Sequence, residues 1–214
     1  MQQELINALY ETLLMVFLSG ILTLLFGLPL GILLTITESK KMFVYRLLNK
    51  ILKPIIHFAQ SLPYVLLMIT LMPMSSFLLN RKDGWLFAIL PLSLVAIPSF
   101  AGQCQIAFLK IPKSLMEFMT FSGATPLQII RKLLIPEAGP QLILAFTRTL
   151  VQLIGYSVMA GLLAANGLGG LAMQKSYPDF QMTYVVATAI ILVLLAQTMQ
   201  GVGYFLTRKA IVKT

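Results

Sequence analysis

The chain has 214 residues, of which 58% are apolar and only 11% charged, and its mean hydropathy is +0.87. A soluble domain carries about 25% charged residues, so this composition argues against a soluble enzyme or a nucleic-acid binder. The net charge of +9 then reads as membrane topology and contact with anionic headgroups, with no nucleic-acid partner implied.

In chain order, residues 12–37, 54–80, 84–109, 149–174 and 180–207 are free of charge. Each run exceeds the ~20 residues that cross a ~30 Å hydrocarbon layer as a helix. None alternates as a barrel strand would. The cluster Asn166-Gly167-Leu168-Gly169-Gly170 is a turn signal that ends the fourth helix. That helix is therefore placed from Pro140 to Leu163, with Arg148 inside it. The expected fold is an all-α integral membrane protein forming one transmembrane domain over 1–214. Its five transmembrane helices lie at about 9–37, 54–79, 85–109, 140–163 and 181–207, with a loop at 110–139 between the third and fourth. The N-terminus has no basic region and its apolar run is long, so the first helix is expected to be retained rather than cleaved as a signal peptide. Gly27 and Gly31, spaced four apart around Pro29, suit close helix packing within one subunit.

Twelve of the sixteen Lys and Arg residues fall in the loop after the first helix, in segment 110–139 and in the C-terminal tail. Positive charge marks the cytoplasmic side, which puts the N-terminus outside and the C-terminus in the cytoplasm. Segment 110–139 is too polar to span. Leu115, Met116, Met119 and Phe121 suit a short amphipathic helix, with Gly123 as its C-terminal cap. Thr125 as N-cap and Pro126 at the first position open a second short helix, which Ile135-Pro136 ends. The residues alone leave two readings open: a loop lying on the membrane, or a docking element for a soluble partner.

Glu117, six residues before Gly123 and followed by Ile135-Pro136, resembles the E-A-A-x-x-x-G…L-P loop of ABC importer permeases. Phe118 and Met119 stand where that loop has two alanines, and Ile135 where it has Leu. The run from Gly123-Ala124-Thr125-Pro126 to Arg131-Lys132, followed by Ile135-Pro136-Glu137-Ala138, is more closely similar to the methionine-importing members. So are Glu11-Thr12-Leu13, Ser19-Gly20, Gly27-Leu28-Pro29-Leu30-Gly31, Ser61-Leu62-Pro63, Gly155-Tyr156-Ser157-Val158-Met159 and Gly167-Leu168-Gly169-Gly170, which extend the likeness over nearly the whole chain.

The resemblance implies a permease for D- and L-methionine in the bacterial inner membrane, working by alternating access as a homodimer. Its implied partners are two copies of a cytoplasmic ABC ATPase and an external methionine-binding lipoprotein. The ATPase would bind ATP and Mg, and this chain would bind no cofactor and catalyse no reaction. Glu117, Gly123, Ala124, Thr125, Pro126 and Pro136 would couple the chain to the ATPase. The alternatives are a permease for another small amino acid or apolar solute, an ion-coupled secondary transporter, or a membrane scaffold. An ion-coupled transporter places carboxylates near mid-membrane, whereas all seven acidic residues here fall at helix ends or in loops. No phosphate-binding Gly-x-x-x-x-Gly-Lys loop, Gly-x-Ser-x-Gly or His-Glu-x-x-His occurs. His57, Cys104 and the scattered methionines suit packing rather than metal binding.

Two features of the fourth helix remain. Tyr156 and Met159 share a face, near small residues at Ser157, Ala160 and Gly161, and are expected to form a gate on the dimer axis, with Ser157 also lining the pore. Arg148 is costly in hydrocarbon. It is expected to snorkel toward the cytoplasmic face or an aqueous vestibule, with an ion pair or a substrate contact as alternatives.

Overall fold

Backbone polar groups in hydrocarbon must find partners inside their own segment. The chain meets this demand with helices in a computed structural model that describes residues 2–38, 43–79, 85–163, 166–176 and 181–213. The helices are α1 (Gln2–Glu38), α2 (Phe43–Ser61), α3 (Tyr64–Leu79), α4 (Trp85–Leu109), α5 (Lys113–Phe121), α6 (Pro126–Ile129), α7 (Ile135–Leu162), α8 (Leu168–Ser176) and α9 (Met182–Lys213), with a π-helical turn Ile130–Leu134 joining α6 to α7. Lys40, Lys41, Arg81, Lys82, Asp83 and Asp179, used above for topology and the charge inventory, lie outside the described residues.

Among the described residues, four helical stretches are long and apolar enough to cross a membrane: Gln2–Thr37, Trp85–Leu109, Pro126–Leu162 and Met182–Ile211. The second expected helix, 54–79, is instead divided between α2 and α3, leaving a shorter apolar helix Tyr64–Ser75. Pro63 makes the break. It has no N–H to donate and disfavours helical backbone at the preceding residue. The ladder stops where the Leu62 N–H meets the Phe58 carbonyl (3.2 Å). It restarts where the Leu66 and Leu67 N–H groups donate to the Pro63 carbonyl (3.0 and 3.2 Å).

The boundary at Pro136–Pro140 also differs from expectation. The helix opened at Pro126 does not end at Ile135-Pro136; it continues through the π turn to Leu162. The Ile135 N–H bonds to the Ile130 carbonyl, five residues back. One extra residue in the turn re-phases the ladder just before Pro136, where an ordinary α-helical bond would be missing. Pro140 lies within α7 rather than at its start.

The close approach of α1 to α4 rests on the two glycines singled out above. A Cβ at Gly27 would lie 2.8 Å from Phe100 Cδ1, and one at Gly31 would lie 2.6 Å from Cys104 Cβ and 2.9 Å from the Ala101 carbonyl. The pair therefore packs inside one chain. Met15 and Val16 of α1, Met68 of α3, Ala88, Leu92 and Ala96 of α4, and Leu153, Ile154 and Ala160 of α7 form one buried cluster. A second joins Phe100, Cys104, Ala107 and Phe108 of α4 to Leu134, Ala138 and Ala145. α9 leaves Val186, Ile190, Val193 and Leu194 exposed, the apolar face a helix presents to lipid.

The Gly-rich cluster at 166–170 is only partly a turn. Gly167 has φ +96°, but Leu168, Gly169 and Gly170 already belong to α8 and are buried. The first turn of α8 is held by α1. The Gly167 N–H donates to Glu11 Oε2 (2.8 Å) and the Leu168 N–H to Thr12 Oγ1 (2.9 Å).

Candidate coupling element and translocation face

The end of the molecule formed by α5 and α6 is shaped by two caps within four residues. The Gly123 N–H donates to the Thr120 carbonyl and the Ala124 N–H to the Met119 carbonyl, both at 3.1 Å. This is the paired pattern that closes a helix through a left-handed residue, and Gly123 supplies it with φ +76°. Thr125 then opens α6 with a full capping box: its N–H donates to Gln128 Oε1 (2.9 Å), and the Gln128 N–H donates back to Thr125 Oγ1 (3.4 Å). Pro126 occupies the first turn, where its missing donor costs nothing.

No residue of α5 is buried. Phe118, Phe121 and Leu127 are 67%, 86% and 63% exposed, and Glu117 stands beside them on the surface. Apolar side chains this open, on a tip held by two caps, form a preorganised surface that no described residue of the chain covers. Glu117, Gly123, Ala124, Thr125 and Pro126 thus meet at one tip. Pro136 does not: ten residues of helix put it about 15 Å further along the axis.

The second site is one face of α7. Gln141, Arg148, Gln152, Gly155, Met159 and Leu162 recur at spacings of seven, four, three, four and three, and all are exposed. A stripe carrying a guanidinium and two carboxamides does not face hydrocarbon; it faces water or protein. Arg148, Gln152, Gln103 of α4, and Gln200 and Tyr204 of α9 line a cleft of about 540 Å³. Met159, 40% exposed, lies on this face. Tyr156 is half-buried against its own chain: its ring stacks on Tyr64 of α3 with centroids 3.9 Å apart, and the Tyr64 hydroxyl donates to the Tyr156 carbonyl. Ser157 is buried, with its hydroxyl donating to the Ile154 carbonyl (2.7 Å), so it points into the core rather than along this face.

Sequence reasoning did not find Tyr64, the three glutamines or α8. The i, i+4 spacing of Arg148 and Gln152 was a readable signal; the approach of Gln103 and Gln200 from other helices was not. At the end opposite α5, Glu4 binds Lys175 of α8 (3.2 Å) and accepts from the Tyr184 hydroxyl of α9 (2.7 Å), tying three helices together. Among the described residues, no group of three His, Cys, Asp or Glu side chains is placed to hold a metal ion.

The fold has close counterparts. The Vibrio cholerae protein named "Probable D-methionine transport system permease protein MetI" is 36% identical over 205 residues, 96% of this chain and 91% of its own. The Escherichia coli K12 D-methionine transport system permease protein MetI is 38% identical over 157 residues, 73% of this chain and 72% of its own. A chain from an inward-facing structure of the MetNI methionine ABC transporter superposes with a TM-score of 0.94 at 35% identity, covering 98% of this chain and 97% of that one. A chain of an amino acid ABC transporter crystallised with histidines shares the fold alone, with a TM-score of 0.77 at 15% identity. Residues 27–212 match the family described as the binding-protein-dependent transport system inner membrane component. The chain belongs to that family, as the membrane-embedded permease subunit of an ABC importer whose ATPase is a separate polypeptide.

Proposed function

We propose that this permease imports methionine across the bacterial inner membrane. The observation that carries the reading is the near-complete superposition on a chain of a methionine ABC transporter. In this reading the N-terminus is external and the α5–α6 tip is cytoplasmic. Two copies of the chain pair about a two-fold axis, because one chain offers one tip and an ABC engine has two ATPase subunits. Each tip enters a cleft of an ATPase that holds ATP and Mg, and an external methionine-binding lipoprotein delivers the substrate. ATP-driven closure of the ATPases moves the tips, and the helix bundles exchange between two packings. Driving such an exchange from 1:99 to 99:1 takes about 5.5 kcal/mol of differential free energy, which ATP-driven closure supplies; the exposed Phe118, Phe121 and Leu127 give the tip the apolar contacts by which it follows the ATPase. The test is purification with the partner ATPase, native mass measurement and ATP-dependent methionine uptake in proteoliposomes supplied with the binding protein. Two permease chains per complex and uptake that stops without ATP are expected. A single permease chain, or uptake of another solute with none of methionine, would overturn the reading.

The exposed stripe of α7 supports a gate at Met159, with Tyr156 behind it braced on Tyr64. On a Cys104→Ser background, Met159→Cys is expected to react with a polar thiol reagent in at least one nucleotide state and to crosslink to its counterpart across the dimer. Tyr156→Cys is expected to react only in the state in which the stack on Tyr64 opens. Silence at both positions in every state would remove the gate assignment.

A further inference from the structure

Arg148 lies about 18 Å along the helix axis from Pro136 and about 21 Å from Leu162, near the middle of α7. A long side chain near a helix end reaches the interface by snorkelling; from mid-helix that reach is short. No ion pair of the Arg148 guanidinium is found among the described residues. None of the described acidic residues lines this cleft: Glu4 and Glu11 bond toward α8 at the end opposite α5, Glu117 lies on α5 and Glu137 in the first turn of α7. The neighbours are instead neutral hydrogen-bonding groups from three helices: Gln103, Gln152, Gln200 and Tyr204. A smaller cavity of about 80 Å³ continues from Arg148 past Gln141 to Lys110 at the α5 end, so the basic lining extends toward that end. A lone guanidinium ringed by carboxamides, in a cleft of small-molecule size, lacks one component: an anion with two oxygens.

We propose that Arg148, with Gln103, Gln152 and Gln200, forms a carboxylate-binding subsite that holds the substrate's α-carboxylate during its passage. This rests on the reading of the chain as an amino-acid importer. The guanidinium offers a planar pair of N–H donors to the carboxylate. The glutamine amides and carbonyls serve the remaining oxygen positions and the ammonium group. The apolar side chain of the substrate then points along the α7 stripe toward Met159. Arg148 and Gln152 are exposed, which suits a transient stop: tight binding here would slow release.

A lipid phosphate offers the guanidinium the same chemistry, so the test separates the two sources. The assembled permease–ATPase complex carries Cys104→Ser and Gly155→Cys. Gly155 lies two turns from Arg148 on the same face, and a Cβ there meets nothing within 4 Å. Labelling of this thiol by a negatively charged thiosulfonate is followed in nanodiscs of neutral or anionic lipid. Methionine is expected to slow labelling in both lipids, whereas methionine amide, which lacks the carboxylate, is not. Arg148→Gln is expected to weaken the methionine effect about tenfold, as befits loss of one charge-assisted contact, and Arg148→Lys to retain part of it. Equal protection by methionine and its amide, or protection that survives Arg148→Gln, would overturn the proposal. So would slowing by anionic lipid with none by methionine, which would identify a lipid phosphate as the occupant. Methionine uptake by the unsubstituted complex is measured in parallel. If uptake is absent, the functional reading falls by itself, and acetate in place of methionine decides the subsite: protection that depends on Arg148 supports it, and no protection overturns it.

Discussion

Gly161→Ala is expected to lower the melting midpoint of the purified permease by roughly 10 °C, the size of effect that follows from overpacking by about 3 kcal/mol. The cause is the α7–α8 corner, where two backbones touch. A Cβ at Gly161 would fall on the Gly170 amide nitrogen and lie 2.8 Å from the Gly169 carbonyl carbon. From the other side, a Cβ at Gly169 would fall on the Val158 carbonyl oxygen and lie 2.7 Å from the Val158 Cα. None of these atoms ends a flexible side chain, so relief requires one helix to move off the other. Moving α8 breaks its cap on Glu11 and Thr12 of α1 and its link through Lys175 to Glu4. The damage therefore spreads from one methyl group to three helices. Gly201→Ala is the control, since a Cβ there meets nothing within 4 Å and should change the midpoint little. Thermal unfolding in detergent reads both. Indistinguishable midpoints for Gly161→Ala and Gly201→Ala would mean that α8 does not sit against α7 in this way.

That corner also marks the limit of sequence reading. The glycine cluster at 166–170 signals a turn by composition, and Gly167 provides one. The same glycines at 169 and 170 serve a helix crossing, and composition does not distinguish a glycine needed for its φ from one needed for its missing side chain. The long apolar runs were legible because hydrocarbon imposes both length and composition on a spanning helix. Breaks inside them were less so. Pro63 divides one run, yet Pro29, Pro91 and Pro98 sit inside unbroken helices. In a membrane, neighbouring helices and side-chain hydroxyls re-satisfy the freed carbonyls, so proline loses much of its value as a boundary signal. At Pro136 a π turn performs the same repair, which is why α6 and α7 join where two separate helices were expected. The caps at Gly123 and Thr125 were readable in full because they depend only on neighbours in sequence. The polar face was half readable: Arg148 and Gln152 lie one turn apart on α7, but Gln103 and Gln200 reach them through tertiary packing.

Gly123→Val is expected to leave the permease in the membrane at its normal level and with its normal melting midpoint, while uptake per ATP hydrolysed falls at least about tenfold. The two glycine substitutions fail by opposite routes. At Gly161 the backbone is ordinary and the space is filled; at Gly123 the space is open, with nothing within 4 Å of an added Cβ, and the backbone is the constraint. A left-handed φ costs an L-residue roughly 1–2 kcal/mol, and a β-branched side chain is among the poorest tolerated there. That cost is comparable to the worth of the two cap hydrogen bonds from Gly123 and Ala124, so the tip gives way before the bundle does. Once the cap opens, α5 is no longer aimed by the turn into α6, and Phe118 and Phe121 leave the surface they share with Leu127. The transmembrane core depends little on this tip, because α5 has no buried residue and reaches the core only through half-buried Met116. Gly123→Asn is the rescue, since asparagine enters the left-handed region with little strain; it should restore most of the coupling, whereas Gly123→Ala should fall between the two. ATP hydrolysis and uptake measured on the same proteoliposomes report the ratio directly. If Gly123→Val transports as well as the unsubstituted protein, or if asparagine fares no better than valine, the left-handed cap is not what couples this permease to its ATPase.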